Sequence, residues 1–162
     1  LKYGFWEIRA KLPSGVGTWP AIWMLNSEID SIGWPYCGEI DIMEHVGFEP
    51  NKVYFSIHNT NLFGNVHGST QQGVYELNNL ETSFHNYAIE WGKDFIKGYI
   101  DGTLYFNYSK SSNSFNDWPY DNPFFLIINL AIGGEWGGIQ GIDNSIFPAS
   151  FVIDYVRLYE KG

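Results

Sequence analysis

From Trp6 the chain alternates between apolar and polar positions, with Trp6, Ile8, Ala10 and Leu12 on one side and Glu7, Arg9 and Lys11 on the other. A period of two over this length predicts a half-buried strand. Segments of the same kind follow at Ala21 to Leu25, Glu39 to Val46, Val53 to Thr60, Asn86 to Trp91, Phe95 to Asp101, Thr103 to Tyr108, Phe124 to Ile132 and Phe151 to Tyr159, with turn residues between them. Asp101-Gly102, between FIKGYI and TLYFNY, predicts a two-residue hairpin turn, because positive φ favours an Asx-Gly pair. No stretch sustains a 3.6-residue apolar period, and neither a repeat nor a low-complexity segment is visible. Many short strands punctuated by Gly and Pro predict an all-β chain, an antiparallel β-sandwich.

Composition narrows the partners. The chain has 162 residues, which favours a single domain over 1–162. Nine Lys and Arg stand against 18 Asp and Glu, for a net charge of −9. Nucleic acid and anionic membranes are thereby excluded as expected partners, since both are held by clustered cations. Charged residues make up 17% and aromatics 19%, a profile suited to neutral, hydroxyl-rich ligands. Cys37 is the single cysteine, so no intrachain disulfide can form. The apolar run Phe124 to Ile128 is far shorter than the roughly 20 residues that cross a bilayer. The opening LKYGFWEIRAKLP has no basic stretch followed by an apolar one, so it reads as strand and not as a signal peptide.

The chemistry concentrates in Gly38 to Gly47, GEIDIMEHVG, where Glu39, Asp41 and Glu44 interrupt a hydrophobic strand. On a regular strand Glu39 and Asp41 share a face and Glu44 points away. A one-residue bulge near Ile42 or Met43 returns Glu44 to that face. The outer Cα atoms then stand roughly 13 Å apart, and inward-leaning side chains bring the carboxyls to about 5–5.5 Å, the spacing of a retaining glycosidase. Asp41, between them, can help keep one carboxyl protonated while the other is ionised. Carboxylates alternating with Ile also suit a solvated strand face, but like charges side by side are unfavourable there and few cations lie nearby to compensate.

With these residues in place, the chain resembles glycoside hydrolase family 16, and within it the bacterial laminarinase-like endo-1,3-β-glucanases. The resemblance runs through YGFWEIRAKLPSG, GTWPAIWML, WPYCGEIDIMEHVG, HNYAIEWGKDFIKGYIDGTLYF, PFFLIINLAIGGEW and VIDYVRLYE, in order. It implies a jelly-roll sandwich with a concave glycan-binding cleft. The form E-x-D-x-x-E, with Met43 as the extra residue, resembles the bulged motif of laminarinases, agarases and carrageenases. By that resemblance Glu39 is the nucleophile, Glu44 the acid/base and Asp41 the assisting carboxylate; the spacing alone leaves open which Glu does which.

Trp19 and Trp23, at i and i+4, can share a strand face and stack on sugar rings; the resemblance adds Trp136 to them as cleft residues. Trp34, just before the carboxylate strand, can border the same site, whereas Trp6, Trp91 and Trp118 go to core or surface. His58, on the next strand, can bond Asp41, Glu44 or a sugar hydroxyl. His45, His67 and His85 show no zinc spacing. Asn129 breaks an apolar strand and so is expected to face the cleft. The resemblance also implies a structural calcium, with Asp154 as one ligand, although calcium wants six to eight oxygens. Asn107-Tyr108-Ser109 fits a glycosylation sequon, with a plain hairpin strand as its default reading.

Modules of this family ordinarily begin several strands before the block matching YGFWEIRAKLP. The expectation is therefore a catalytic domain without its N-terminal strands, with the remainder of a longer polypeptide as its partner. The expected activity is retaining endo-hydrolysis of internal β-1,3 links in laminarin-type glucan, by a secreted or extracellular protein, with mixed-linkage β-1,3-1,4-glucan as a further substrate. The chemistry needs no cofactor. The alternatives are a non-catalytic glucan-binding module of the same fold, an enzyme for another neutral polysaccharide such as agarose, and a metal-dependent hydrolase. Low cation content speaks against sulfated glycans.

Overall fold

The computed structural model describes residues 1–63 and 71–159. His67 lies outside the described residues. Ten strands run in order: β1 (Gly4–Lys11), β2 (Thr18–Asn26), β3 (Glu39–Glu44), β4 (Lys52–His58), β5 (Gln71–Glu76), β6 (His85–Trp91), β7 (Phe95–Ile100), β8 (Thr103–Ser109), β9 (Phe124–Ile132) and β10 (Val152–Tyr159). One-turn helices at Ile29–Ile32 and Thr60–Phe63 fill connections. The strands form two antiparallel five-stranded sheets, ordered β10-β1-β6-β7-β8 and β5-β4-β3-β2-β9.

The alternation in β1 is realised as expected. Trp6, Ile8, Ala10 and Leu12 are buried between the sheets, and Glu7, Arg9 and Lys11 lie on the outer face, half-buried. Ile22, Met24, Ile40, Ile57, Tyr87, Ile89 and Ile96 meet them in one core. Trp6, Trp91 and Trp118 all belong to it. The Asp101-Gly102 hairpin forms with positive φ at both residues, and Asp101 also ties back to β6, accepting from the Asn86 N–H and facing His85 Nδ1 at 2.6 Å.

Strand ends differ by a few residues from the periodicity, and β5 was not expected at all. Its sequence QQGVYE is polar and contains Gly, and it is an edge strand with a largely exposed pattern, so the apolar alternation that marks inner strands is weak there. The carboxylate strand ends at Glu44 and not Val46. His45 leaves the ladder and turns fully inward, its Nδ1 2.7 Å from the Lys52 carbonyl oxygen.

The bulge is present. Asp41 pairs with Ser56 and Glu44 with Tyr54, so Ile42 and Met43 together oppose Phe55 alone. Both are fully buried. Against β2, Met43 keeps Ile22 as partner while Asp41 pairs with Trp23, so Ile42, and not Met43, is the extra residue on that side. Phe55 stacks on Phe106 with ring centroids 4.4 Å apart, and it packs so closely over Gly98 that no Cβ fits there. The opposite sheet thus clamps the strand facing the bulge.

Gly47 fixes the exit of the carboxylate strand. Its N–H donates to the Thr18 carbonyl at 3.0 Å, and a methyl group at its Cα would overlap the Gly15 carbonyl oxygen and Thr18 Oγ1. The obstacle is backbone, which cannot rotate away. Gly47→Ala is expected to destabilise the fold by about 2–4 kcal/mol, measured by urea unfolding.

Candidate active site

The site is built on the face of the second sheet that points away from the core. Trp19, Ala21 and Trp23 of β2, Glu39, Asp41 and Glu44 of β3, and Asn129 and Ala131 of β9 enclose a recess of about 250 Å³. It continues into an open groove of about 690 Å³, lined by Trp19, Trp34, Glu39, Glu44, Tyr54, Ser56, His58, Gln72, Glu135 and Trp136. Every candidate cleft residue named from the sequence, Trp19, Trp23, Trp34, His58, Asn129 and Trp136 included, lines one or both parts. No Lys or Arg among the described residues lines either one.

Each outer carboxyl is held by an indole. Trp34 Nε1 donates to Glu39 Oε2 at 2.7 Å, and Trp19 Nε1 donates to Glu44 Oε1 at 3.1 Å. His58 Nε2 stands 2.8 Å from Asp41 Oδ2 and 3.9 Å from Glu39 Oε1. Trp23 Nε1 donates to Asn129 Oδ1 at 2.8 Å, which gives the lone polar residue of β9 its partner and fixes the indole plane. Trp19 and Trp136 meet edge-on at 5.7 Å, and Tyr54 meets Trp136 edge-on at 4.9 Å.

Burial dominates the electrostatics. Glu39 is pushed up to about 8, first by burial and then by the neighbouring Asp41 carboxylate, with His58 and the Trp34 N–H pulling the other way. Asp41 lies well above the usual carboxylate range because of burial and the charge of Glu44. Glu44 is raised by burial, against the Trp19 N–H. His58 is lowered by its own burial, which favours the neutral imidazole. Three neighbouring carboxyls, each raised by burial, favour a row that keeps at least one proton near neutrality, as acid/base chemistry requires.

Tyr54, Ser56, Gln72 and Glu135 were not singled out from the sequence. The alternation of KVYFSIH contains the first two: Tyr54, Ser56 and His58 fall at i, i+2 and i+4, on the face opposite Val53, Phe55 and Ile57. Gln72 sits on the unexpected β5, and Glu135 in a Gly-rich turn that carries no periodic signal.

Asp154, on β10, accepts from Arg9 Nη1 at 2.6 Å. Among the described residues it belongs to no group of three or more His, Cys, Asp or Glu side chains that could share an ion. Among the described residues such a group forms at Glu39, Asp41 and His58, inside the cleft.

Residues 1–157 match the family model for Glycosyl hydrolases family 16. The chain is 47% identical over 164 residues to a β-glucanase of Rhodothermus marinus, covering 97% of this chain and 57% of that protein. It is 40% identical over 162 residues to a keratan-sulfate endo-1,4-β-galactosidase of Sphingobacterium multivorum, covering 99% of this chain and 37% of that protein. It thus spans little more than half the length of the first relative and less of the second. The laminarinase of Flavobacterium sp. UMI-01 superposes with a TM-score of 0.91 at 46% identity, covering 99% of this chain and 68% of that one. With its carboxylate row, its indole-lined cleft and these matches, the chain belongs to glycoside hydrolase family 16.

Proposed function

We propose that the chain is the core of a retaining endo-β-glucanase that cleaves internal β-1,3 links of laminarin-type glucan, with mixed-linkage β-1,3-1,4-glucan as a further substrate. The observation that carries this reading is the bulged row Glu39, Asp41 and Glu44 on the floor of an indole-lined groove. The β-glucanase and laminarinase relatives support the substrate class. The galactosidase relative acts on a sulfated glycan. A groove lined by no Lys or Arg among the described residues offers sulfate no counter-charge, which favours a neutral polymer.

In this reading Glu39 attacks the anomeric carbon while Glu44 gives its proton to the leaving oxygen. The glycosyl-enzyme bond to Glu39 is then broken by a water that Glu44 deprotonates. The Trp34 N–H and the His58 ring favour charge on Glu39. Asp41, the most deeply buried of the three and raised well above the usual carboxylate range, is suited to take up the proton that Glu39 gives up when it ionises for attack. Sugar rings stack on Trp19, Trp23 and Trp136, and Asn129 orients Trp23. A polymeric substrate too large to enter a cell supports a secreted or extracellular setting. Exposed apolar side chains on the edge strands β9 and β10, among them Phe125, Ile132, Val152 and Val156, support pairing of these edges with further strands of a longer polypeptide.

Digestion of laminarin, lichenan and agarose, followed by NMR of the first product, tests the proposal. Laminarin is expected to yield oligosaccharides whose new reducing end appears first as the β-anomer. Initial α-anomer would overturn retention, and binding of laminarin without cleavage would favour the glucan-binding alternative.

A further inference from the structure

One chain of contacts links the groove wall to Glu44 through residues that the mechanism leaves unassigned, Tyr54 and Glu49. Tyr54 stands directly across the β3–β4 ladder from Glu44. Its ring lies edge-on to Trp136, Trp136 lies edge-on to Trp19, and Trp19 Nε1 donates to Glu44 Oε1. The other end is anchored outside the cleft: the Tyr54 hydroxyl donates to Glu49 Oε2 at 2.5 Å, and Lys52 Nζ donates to the second oxygen of the same carboxylate at 2.6 Å. Lys52 and Tyr54 lower the Glu49 carboxyl, which favours its charged, accepting form.

We infer that Tyr54, tethered by Glu49, is a positioning residue that sets the ring pair Trp136–Trp19 and, through the Trp19 N–H, the direction of the Glu44 carboxyl. The groove is open, and nothing in Trp19 alone selects the rotamer whose N–H reaches Glu44. Two edge-on ring contacts ending in a charge-assisted hydrogen bond supply that selection, since each ring has one orientation that satisfies both neighbours. The bulge places both ends of the chain together: it turns Glu44 onto the face that already carries Tyr54. This inference rests on the reading of Glu44 as the acid/base.

The test compares two substrates that differ only in how much proton donation they need. One is a neutral glucan oligosaccharide, whose leaving sugar must be protonated; the other is the dinitrophenyl glycoside of the same glucan, whose leaving group departs without it. Tyr54→Phe removes only the hydroxyl. It is expected to lower kcat/KM on the oligosaccharide about 5–20-fold and on the dinitrophenyl substrate less than about twofold, the pattern of a misaligned acid. Glu49→Ala should repeat that pattern, and Glu49→Gln, which keeps an acceptor for the phenol, should restore most of the loss. Equal losses on both substrates would make Tyr54 a wall of the sugar site only, and no loss would remove its role; either overturns the inference. Glu44→Ala on the same pair separates the two ideas. If that variant also loses equally on both, the acid/base reading falls. If it shows the leaving-group difference and Tyr54→Phe does not, only the positioning role falls.

Discussion

Glu39→Gln is expected to lower hydrolysis of laminarin by at least ~10⁴-fold, the scale on which loss of a covalent nucleophile acts, while the protein becomes more stable at neutral and alkaline pH. The two effects share one cause. Glu39 sits among Trp34, Asp41 and His58 in a buried row that raises its pKa to about 8 from 4.5. The folded protein therefore holds this proton more tightly than the unfolded chain, and stability falls as pH climbs from about 4.5 to about 8. Gln keeps the shape and the Trp34 bond but never ionises. The variant should match the parent below pH ~4 and exceed it by about 1–4 kcal/mol above pH ~8, read from melting curves across pH. Retained hydrolysis would sink the nucleophile assignment. A stability gap that opens toward low pH would contradict the burial argument.

Glu44→Ala should cost about 10²–10⁴-fold on laminarin, where the leaving sugar needs a proton, and far less in the first step on a dinitrophenyl glycoside. Azide distinguishes the two Glu residues. In Glu44→Ala the glycosyl-enzyme still forms on Glu39, and azide displaces it without needing a base, which gives the β-glycosyl azide. In Glu39→Ala azide enters the space of the missing carboxylate and attacks the dinitrophenyl substrate once, which gives the α-azide. NMR of the two products reads the assignment directly, and the same anomer from both variants would refute it.

The sequence made the site more legible than the edges of the fold. Period-two alternation located nine of the strands because each carries apolar side chains into a shared core, and the E-x-D-x-x-E spacing required a bulge in order to place three carboxyls on one face. The bulge is there because Ile42 and Met43 both have core to enter. β5 escaped notice because an edge strand with one solvated side has little hydrophobic signature. The indole bonds to Glu39 and Glu44 were equally out of reach. They depend on where Trp34 and Trp19 come to rest relative to β3 in the folded sheet, and no local spacing encodes that.

The bulge also bears on how such a strand can change by insertion and deletion. Loss of one residue in the middle of an ordinary strand turns every later side chain to the other face, and here that would send a carboxylate into the core. At Ile42 the outcome reverses. Without it, Glu39, Asp41 and the final Glu follow strict alternation, with Met43 alone pointing inward between the last two. The row would survive with one core side chain fewer, at a cost of about 2–5 kcal/mol for the lost packing. Ile42 and Met43 are thus the positions in the catalytic strand where the chain length can change without reversing the row. A lineage could gain or lose this residue while every intermediate kept its three carboxyls in line.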